Sequence, residues 1–320
     1  MAMFSILLLL NMPGVDISQA QSATQATWQQ IKVVEIVEVV REIRHDIAGQ
    51  NRRKLDAAID GVIRTHQKVY ERGVKEGWQR ETLENLLEHQ DVEIAKCQQL
   101  ARVWSLNDVF LFREKTTADL QLQKVRIEKV DIRDLPALVK RHNLTQVEAM
   151  NLDRTVTSIH DSDGGIFWSP HVRNNNHYYR MGQRYREDDL RLRLGFLPAW
   201  VFEGSDVTWK QDADALVGET SSGTCRIEFA DGSAYRVSGL TLVNDGKTTR
   251  YTLEDYREVG GVLLPCTLRV EQPGRKTVTR NVLRCEINPA VDAGAFAPPA
   301  GRMEGPTADP AETVRPPRIP

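Results

Sequence analysis

Turn dipeptides recur through the last third of the chain at a spacing that fits hairpins. Asp231-Gly232, Asp245-Gly246, Gly260-Gly261 and Pro273-Gly274 punctuate it. Asp-Gly and Gly-Gly supply the positive φ of the tightest hairpin turns, and Pro-Gly suits a type II turn. Between the turns the residues alternate. Cys225, Ile227 and Phe229 alternate with Arg226 and Glu228, and Leu264, Cys266, Leu268 and Val270 alternate with Pro265, Thr267 and Arg269. Successive side chains of a strand point to opposite faces, so this pattern describes an antiparallel ladder of five strands with one apolar and one polar face.

The upstream residues read differently. Val33, Ile36, Val37, Val40, Ile43 and Ile47 recur at helical spacing among Glu35, Glu38, Arg41 and Glu42, which predicts an amphipathic helix over Ile31 to Ile47 that stops near Gly49. Leu55, Ala58, Ile59 and Val62 continue helically. Residues 61–71 suit a helix or a first strand equally. Leu83, Leu86, Leu87, Ile94 and Leu100 mark a further helix. From Val109 the composition turns to strand, with Phe110-Leu111-Phe112 and then Leu120, Leu122, Val125, Ile127 and Val130. A helical insertion is expected from Leu135 to Met150, opened by Pro136. Strand character resumes at Thr155 to Thr157, at Ile166 to Trp168 beyond a turn at Asp161 to Gly165, and in segments at His177 to Met181, Leu190 to Leu194 and Leu197 to Phe202.

Composition bounds the class. Of 320 residues, 41% are hydrophobic and 27% charged, which is ordinary for a globular chain with a sizeable core. A formal charge of -2 gives no reason to expect nucleic acid as a partner. Basic residues between Arg180 and Arg193 are interrupted by Glu187, Asp188 and Asp189 and read as a solvated strand or turn. Phe4 to Leu10 is apolar but too short to span a bilayer, and Ser18-Gln19-Ala20 places small residues where a signal peptidase reads. A signal peptide over residues 1–20, cleaved after Ala20, is therefore expected, with a periplasmic or secreted product and an unstructured lead-in over residues 21–27. The n-region lacks Lys and Arg, and a mis-called start codon or a buried apolar N-terminus is the other reading. Seven of the 14 prolines fall between Pro298 and Pro320, so residues 300–320 are expected to be a disordered tail.

Chemistry-bearing motifs are sparse. The Asp161 to Gly165 run fails as a calcium loop because its twelfth position is Val172, where a carboxylate is needed. His160, His171 and His177 have no metal-ligand spacing and read as loop histidines, so no metal site is assigned. There is no nucleophile elbow, Walker loop or dinucleotide fingerprint, so no catalytic residue and no cofactor is assigned. Phe196, Trp200 and Phe202, with Trp209 after them and Phe167 and Trp168 before, are aromatic candidates for lining an apolar cavity; an ordinary core is the other reading. Cys266 and Cys285 lie on the last two strands in apolar phase. They form a possible disulfide in an exported protein, or they are small buried hydrophobes like Cys97 and Cys225.

The phrase Tyr256 to Pro265 (Tyr-Arg-Glu-Val-Gly-Gly-Val-Leu-Leu-Pro), then Cys266 to Glu271, then Leu283 to Asn288 with Pro289, Asp292, Phe296, Pro298 and Pro299, resembles the C-terminal end of the LolA-like superfamily of outer-membrane lipoprotein-sorting and lipid-carrier proteins. The resemblance covers Thr224 to Pro299 well and reaches loosely back to Val109. It implies an α+β half-barrel, a curved antiparallel β-sheet with helical cover, here with a helical N-terminal region over residues 21–105 and the half-barrel over 106–299. It also implies an apolar cavity for a lipid or lipoprotein acyl chain and no enzymatic activity. Two other readings stand beside the carrier. One is an envelope scaffold with a filled core, docking a protein partner through the Ile31 to Ile47 helix; the other is a hydrolase with an unrecognised site.

Overall fold

A computed structural model describes residues 17–106, 108–162, 164–168, 179–181, 187–201, 207–212, 215–220, 223–230, 235–292 and 294–297. Helix α1 (Ile17–Trp28) leads into strand β1 (Val33–Arg44). Helices α2 (Ile47–Lys75) and α3 (Arg80–Ser105) follow, then β2 (Val109–Asp119), β3 (Lys124–Asp131), α4 (Leu135–His142) and α5 (Gln146–Leu152). Next come β4 (Val156–His160), β5 (Gly165–Trp168), β6 (Tyr179–Met181), α6 (Glu187–Arg193) and a single 3-10 turn at Ala199–Val201. The chain ends in β7 (Thr208–Asp212), β8 (Ala215–Thr220), β9 (Gly223–Phe229), β10 (Val237–Asn244), β11 (Lys247–Val259), β12 (Val262–Gln272) and β13 (Lys276–Ile287).

All the strands form one antiparallel sheet in the order β6-β5-β4-β3-β2-β1-β13-β12-β11-β10-β9-β8-β7. Two meanders build it. The first runs outward from β1 to β6, and the second runs inward from β7 to β13. They join at the centre, where β1 pairs with β13 from Val34↔Ile287 to Arg44↔Lys276. The sheet is an open, curved half-barrel, not a closed barrel. The segment holding α6 and the 3-10 turn carries the chain from one edge strand to the other.

The expected helix at Ile31 to Ile47 is overturned: these residues supply the central strand. Seven of the twelve β1 residues are Val or Ile, whose branched Cβ suits a pleated surface better than a helix. Val34, Ile36, Glu38 and Val40 are buried in strict alternation. Val33, Val37 and Val39 occupy the other face, so both faces are apolar and a helical period was matched by coincidence. The helical region expected over residues 21–105 therefore contains a sheet strand. Gly49 is not a stop but lies inside α2, and the ambiguous residues 61–71 are helical. The lead-in expected at residues 21–27 lies in α1, and Ala20 is fully buried in the core.

The five-strand ladder stands as β9 to β13. Asp245 and Gly246 take φ of 49° and 70°, and Gly260 and Gly261 take 59° and 80°, both as two-residue hairpin loops. The Arg275 amide donates to the Gln272 carbonyl across Pro273-Gly274, with Gly274 at φ 70°. Asp231-Gly232 lies outside the described residues. The expected insertion is two helices, not one. Asn143 ends α4 in the left-handed region, and Thr145 with Glu148 forms a capping box that starts α5.

The strands expected at Leu190 to Leu194 and Leu197 to Phe202 are instead α6 and the 3-10 turn; Phe202 lies outside the described residues. Glu187, Asp188 and Asp189 in the first turn of α6, and Arg191 and Arg193 in the last, complement its dipole. This segment fills one face of the sheet. Leu190, Leu194 and Phe196 join Trp28, Ile36 and Leu264 in one core cluster. Leu192, Leu197 and Val201 join Ala20, Ile227, Leu240 and Leu268 in another. The helical cover is thus α1 with the crossing segment.

Candidate functional site

The hairpin of β12 and β13 pairs from Gln272↔Lys276 only as far as Thr267↔Asn281. Beyond that point the strands part. Residues 262–265 stay hydrogen-bonded to β11, while 282 and 284–287 follow β1. Leu283 is the extra residue of a bulge opposite Val37 and Glu38 and is 60% exposed. A bulge bends the strand that carries it, and here it turns β13 away from β12. The parting leaves a cavity of about 170 Å³ inside the sheet. Ile36, Leu194, Val259, Leu264, Val282, Cys266 and Cys285 give apolar walls, and Arg257, Glu258 and Arg284 stand among its lining residues.

Glu38 and Arg193 also line this cavity and belong to a buried ionic cluster. Arg193 and Arg280 both donate to Glu38. Arg280 also reaches Glu114 at 3.0 Å, Arg193 reaches it at 3.5 Å, and Lys129 at 3.3 Å. The Glu114 side chain is 1% exposed and that of Glu38 3%. Burial alone would raise the Glu114 pKa, but Arg280, Lys129 and Arg193 outweigh it and hold the carboxyl below the usual range. Burial would lower Arg280, and Glu114 with Glu38 outweighs it, so the guanidinium is held more firmly charged. Each carboxylate engages two guanidinium groups, so the cluster ties α6 to β1, β2 and β13.

Of the six aromatic candidates, the four whose side chains are described stand outside the lining of this cavity. Phe196 is fully buried core, edge-on to Trp28 with ring centroids 5.4 Å apart and under the Arg236 guanidinium at 3.7 Å. It is a core residue and not part of the lining of this cavity. Phe167 and Trp168 are half-buried on β5, and Arg126 lies 6.0 Å above the Trp168 ring. Trp209 is half-buried on β7, against the backbone of Gly218. The Trp200 side chain and Phe202 lie outside the described residues.

Cys266 and Cys285 line the same cavity, and both are free thiols. Burial pushes the Cys285 thiol up to about 12. His160 is buried and bonded to Ser158, while His171 and His177 lie outside the described residues. Asp161 makes a turn, its side chain accepting from the Gly164 amide. Among the described residues no group of three or more His, Cys, Asp or Glu is placed to hold a metal. No helix among them is long and apolar enough to cross a membrane.

Residue patterns missed the ionic cluster. The signal was present as charge in the inward phase of a strand: Glu38 between Ile36 and Val40, and Arg280 between Val278 and Val282. It became readable only once β1 was a strand.

No protein-family profile matches the chain, and no curated protein matches it. Among solved structures it is similar to a DUF1329 family protein from Desulfovibrio piger, with a TM-score of 0.40 and 7% identity over 87% of this chain and 97% of that one. It is also similar to the LolA superfamily protein NE2245 from Nitrosomonas europaea, with a TM-score of 0.36 and 8% identity over 86% of this chain and 96% of that one.

Proposed function

We propose that this chain is a non-enzymatic carrier of the cell envelope that holds an acyl chain of a lipid or lipoprotein in the crevice between β12 and β13. The observation that carries this reading is the parting of those strands around the apolar side chains of Ile36, Leu194, Val259, Leu264 and Val282. A cavity of about 170 Å³ has room for roughly five groups the size of a water molecule, at about 30 Å³ each. At about 0.8 kcal/mol per methylene, burying five contributes ~4 kcal/mol, which is millimolar binding. A carrier of long chains therefore needs Leu194 and the crossing segment to yield more room.

Native mass spectrometry with uptake of a fluorescent fatty acid tests the reading. A bound lipid, lost in a folded Val282→Trp variant that fills the crevice, is expected. A clean apo mass with no uptake sinks the carrier. It would favour an envelope scaffold, a reading supported by the filling of one sheet face with Leu190, Leu192, Phe196, Leu197 and Val201. Export is part of the proposal, and the mass of the mature N-terminus tests it, since cleavage after Ala20 would cut within α1.

A further inference from the structure

The hairpin of α2 and α3 leaves one face uncovered. The two helices connect the adjacent strands β1 and β2 and pack on each other, with His66 Nε2 3.2 Å from His89 Nδ1 between them. Gly73 of α2 packs against Leu83 of α3, and Leu55, Val62 and Val69 lie in line with Gly73 at helical spacing, none of them exposed; this is the sealing stripe of α2. A second apolar stripe stands beside it. Ile59, Ile63, Tyr70 and Val74 follow one another at helical spacing, with Ile63 38% and Val74 55% exposed. In α3, Leu87 and Ile94 repeat the interval of Ile63 and Tyr70, with Leu87 46% exposed. At about 100° per residue the second stripe of α2 lies roughly 85° round from its sealing stripe, and that of α3 about 60° round from the half-buried Leu83, Leu86, Gln90 and Cys97, in the same rotational sense. Antiparallel packing turns equal rotations onto one side, so the hairpin carries a single broad apolar face.

We propose that this face is the contact between two copies of the chain, packed as a four-helix bundle with α2 of one copy on α3 of the other. Three observations select a second copy. Both helices carry the stripe at the same intervals, so the face is complementary to itself under a two-fold axis. Its size is right: helices of 29 and 26 residues are ~40 Å long and together ~20 Å wide, giving ~800 Å² per partner, which is the standard for a stable interface. The charges select the axis. Helix α2 has seven Lys or Arg against three Asp or Glu, a net of +4, and α3 has three against five, a net of -2. A two-fold along the hairpin lays α2 on the unlike α3, whereas one across it lays α2 on α2. The contact is independent of the carrier reading.

Sedimentation equilibrium of the full chain tests it. A dimer of the 36.3 kDa chain is expected, weakening as salt rises from about 50 to about 500 mM because unlike charges face each other. Ile63→Glu with Leu87→Glu, both at exposed positions, should raise the dimer Kd about 100-fold while helical content and fatty-acid uptake stay unchanged. A monomer at ~100 μM overturns the proposal, as does a dimer indifferent to the two substitutions. A dimer that tightens with salt refutes the α2-on-α3 arrangement. A monomer that floats with vesicles of anionic lipid gives the face to a membrane surface instead and equally overturns it.

Discussion

Replacing Glu114 with glutamine removes one charge from a buried ionic cluster. The carboxylate lies 3.0 Å from Arg280, 3.3 Å from Lys129 and 3.5 Å from Arg193. Without it, two guanidinium groups share Glu38 alone. Removing one partner from a buried ion pair costs about 3–5 kcal/mol, because the remaining charge stays buried and uncompensated. At ~2.1 cal/mol/K per residue, unfolding 320 residues carries ~0.7 kcal/mol/K of entropy, so Tm should fall by about 4–7 °C. Lys129→Met is the control. Its side chain is 36% exposed, and the loss should stay under about 1 kcal/mol. The pH dependence has a definite sign. The folded pKa of Glu114 is depressed, so its contribution is fully present above the unfolded value of 4.5 and is lost as pH falls through the folded value. Wild type should therefore lose stability below about pH 4.5, and Glu114→Gln should flatten that acid limb. Urea denaturation followed by far-UV circular dichroism from pH 3 to 8 measures both. A variant within about 1 kcal/mol of wild type, with the same acid limb, would refute the cluster as a structural tie.

Two further predictions concern Gly195, which follows the wall residue Leu194, and the buried cysteines. Gly195 has φ of 77°, and a Cβ there would lie 2.5 Å from the Tyr256 hydroxyl, which itself donates to the Val237 carbonyl. Gly195→Ala should cost about 2–4 kcal/mol, and Gly195→Ala with Tyr256→Phe should recover only the clash, leaving the left-handed penalty of about 1–2 kcal/mol; full recovery in a melting experiment would contradict this division. Burial pushes the Cys225 and Cys285 thiols up to about 12, so their thiolate populations fall ~1000-fold below that of an ordinary cysteine. Alkylation at pH 8, counted by mass, should leave both unmodified in the folded protein and label them in urea; labelling of Cys285 at the free-thiol rate would show the crevice to be wet.

The C-terminal half of the fold was legible because its determinants are local. Asp245-Gly246 and Gly260-Gly261 fix their hairpins through backbone conformations that few other residues adopt, and alternation from Cys225 to Val270 then fixes which face is buried. Residues 187–201 were harder. Leu190, Leu192 and Leu194 alternate as a strand would, yet they form a helix and its exit because the chain must cross the sheet and cover it. Phe196 was hard to place for a related reason: it is large and apolar, but whether such a ring lines a cavity or fills a core depends on what stands opposite, and here that is Trp28 and Arg236.

Sequence by itself determined the alternating strands, their turns and the α+β class, since these follow from side-chain period and backbone φ within a few residues. Tertiary structure alone decided that Val33 to Arg44 is a strand and that it joins β13, more than two hundred residues away. Both faces of β1 are apolar, so its period is ambiguous, and only pairing with β2 and β13 satisfies its backbone groups on both sides. The same holds for Glu38. Alone it breaks the apolar face of β1; with Arg193 and Arg280 brought to it by folding, it becomes the buried tie beneath the crevice.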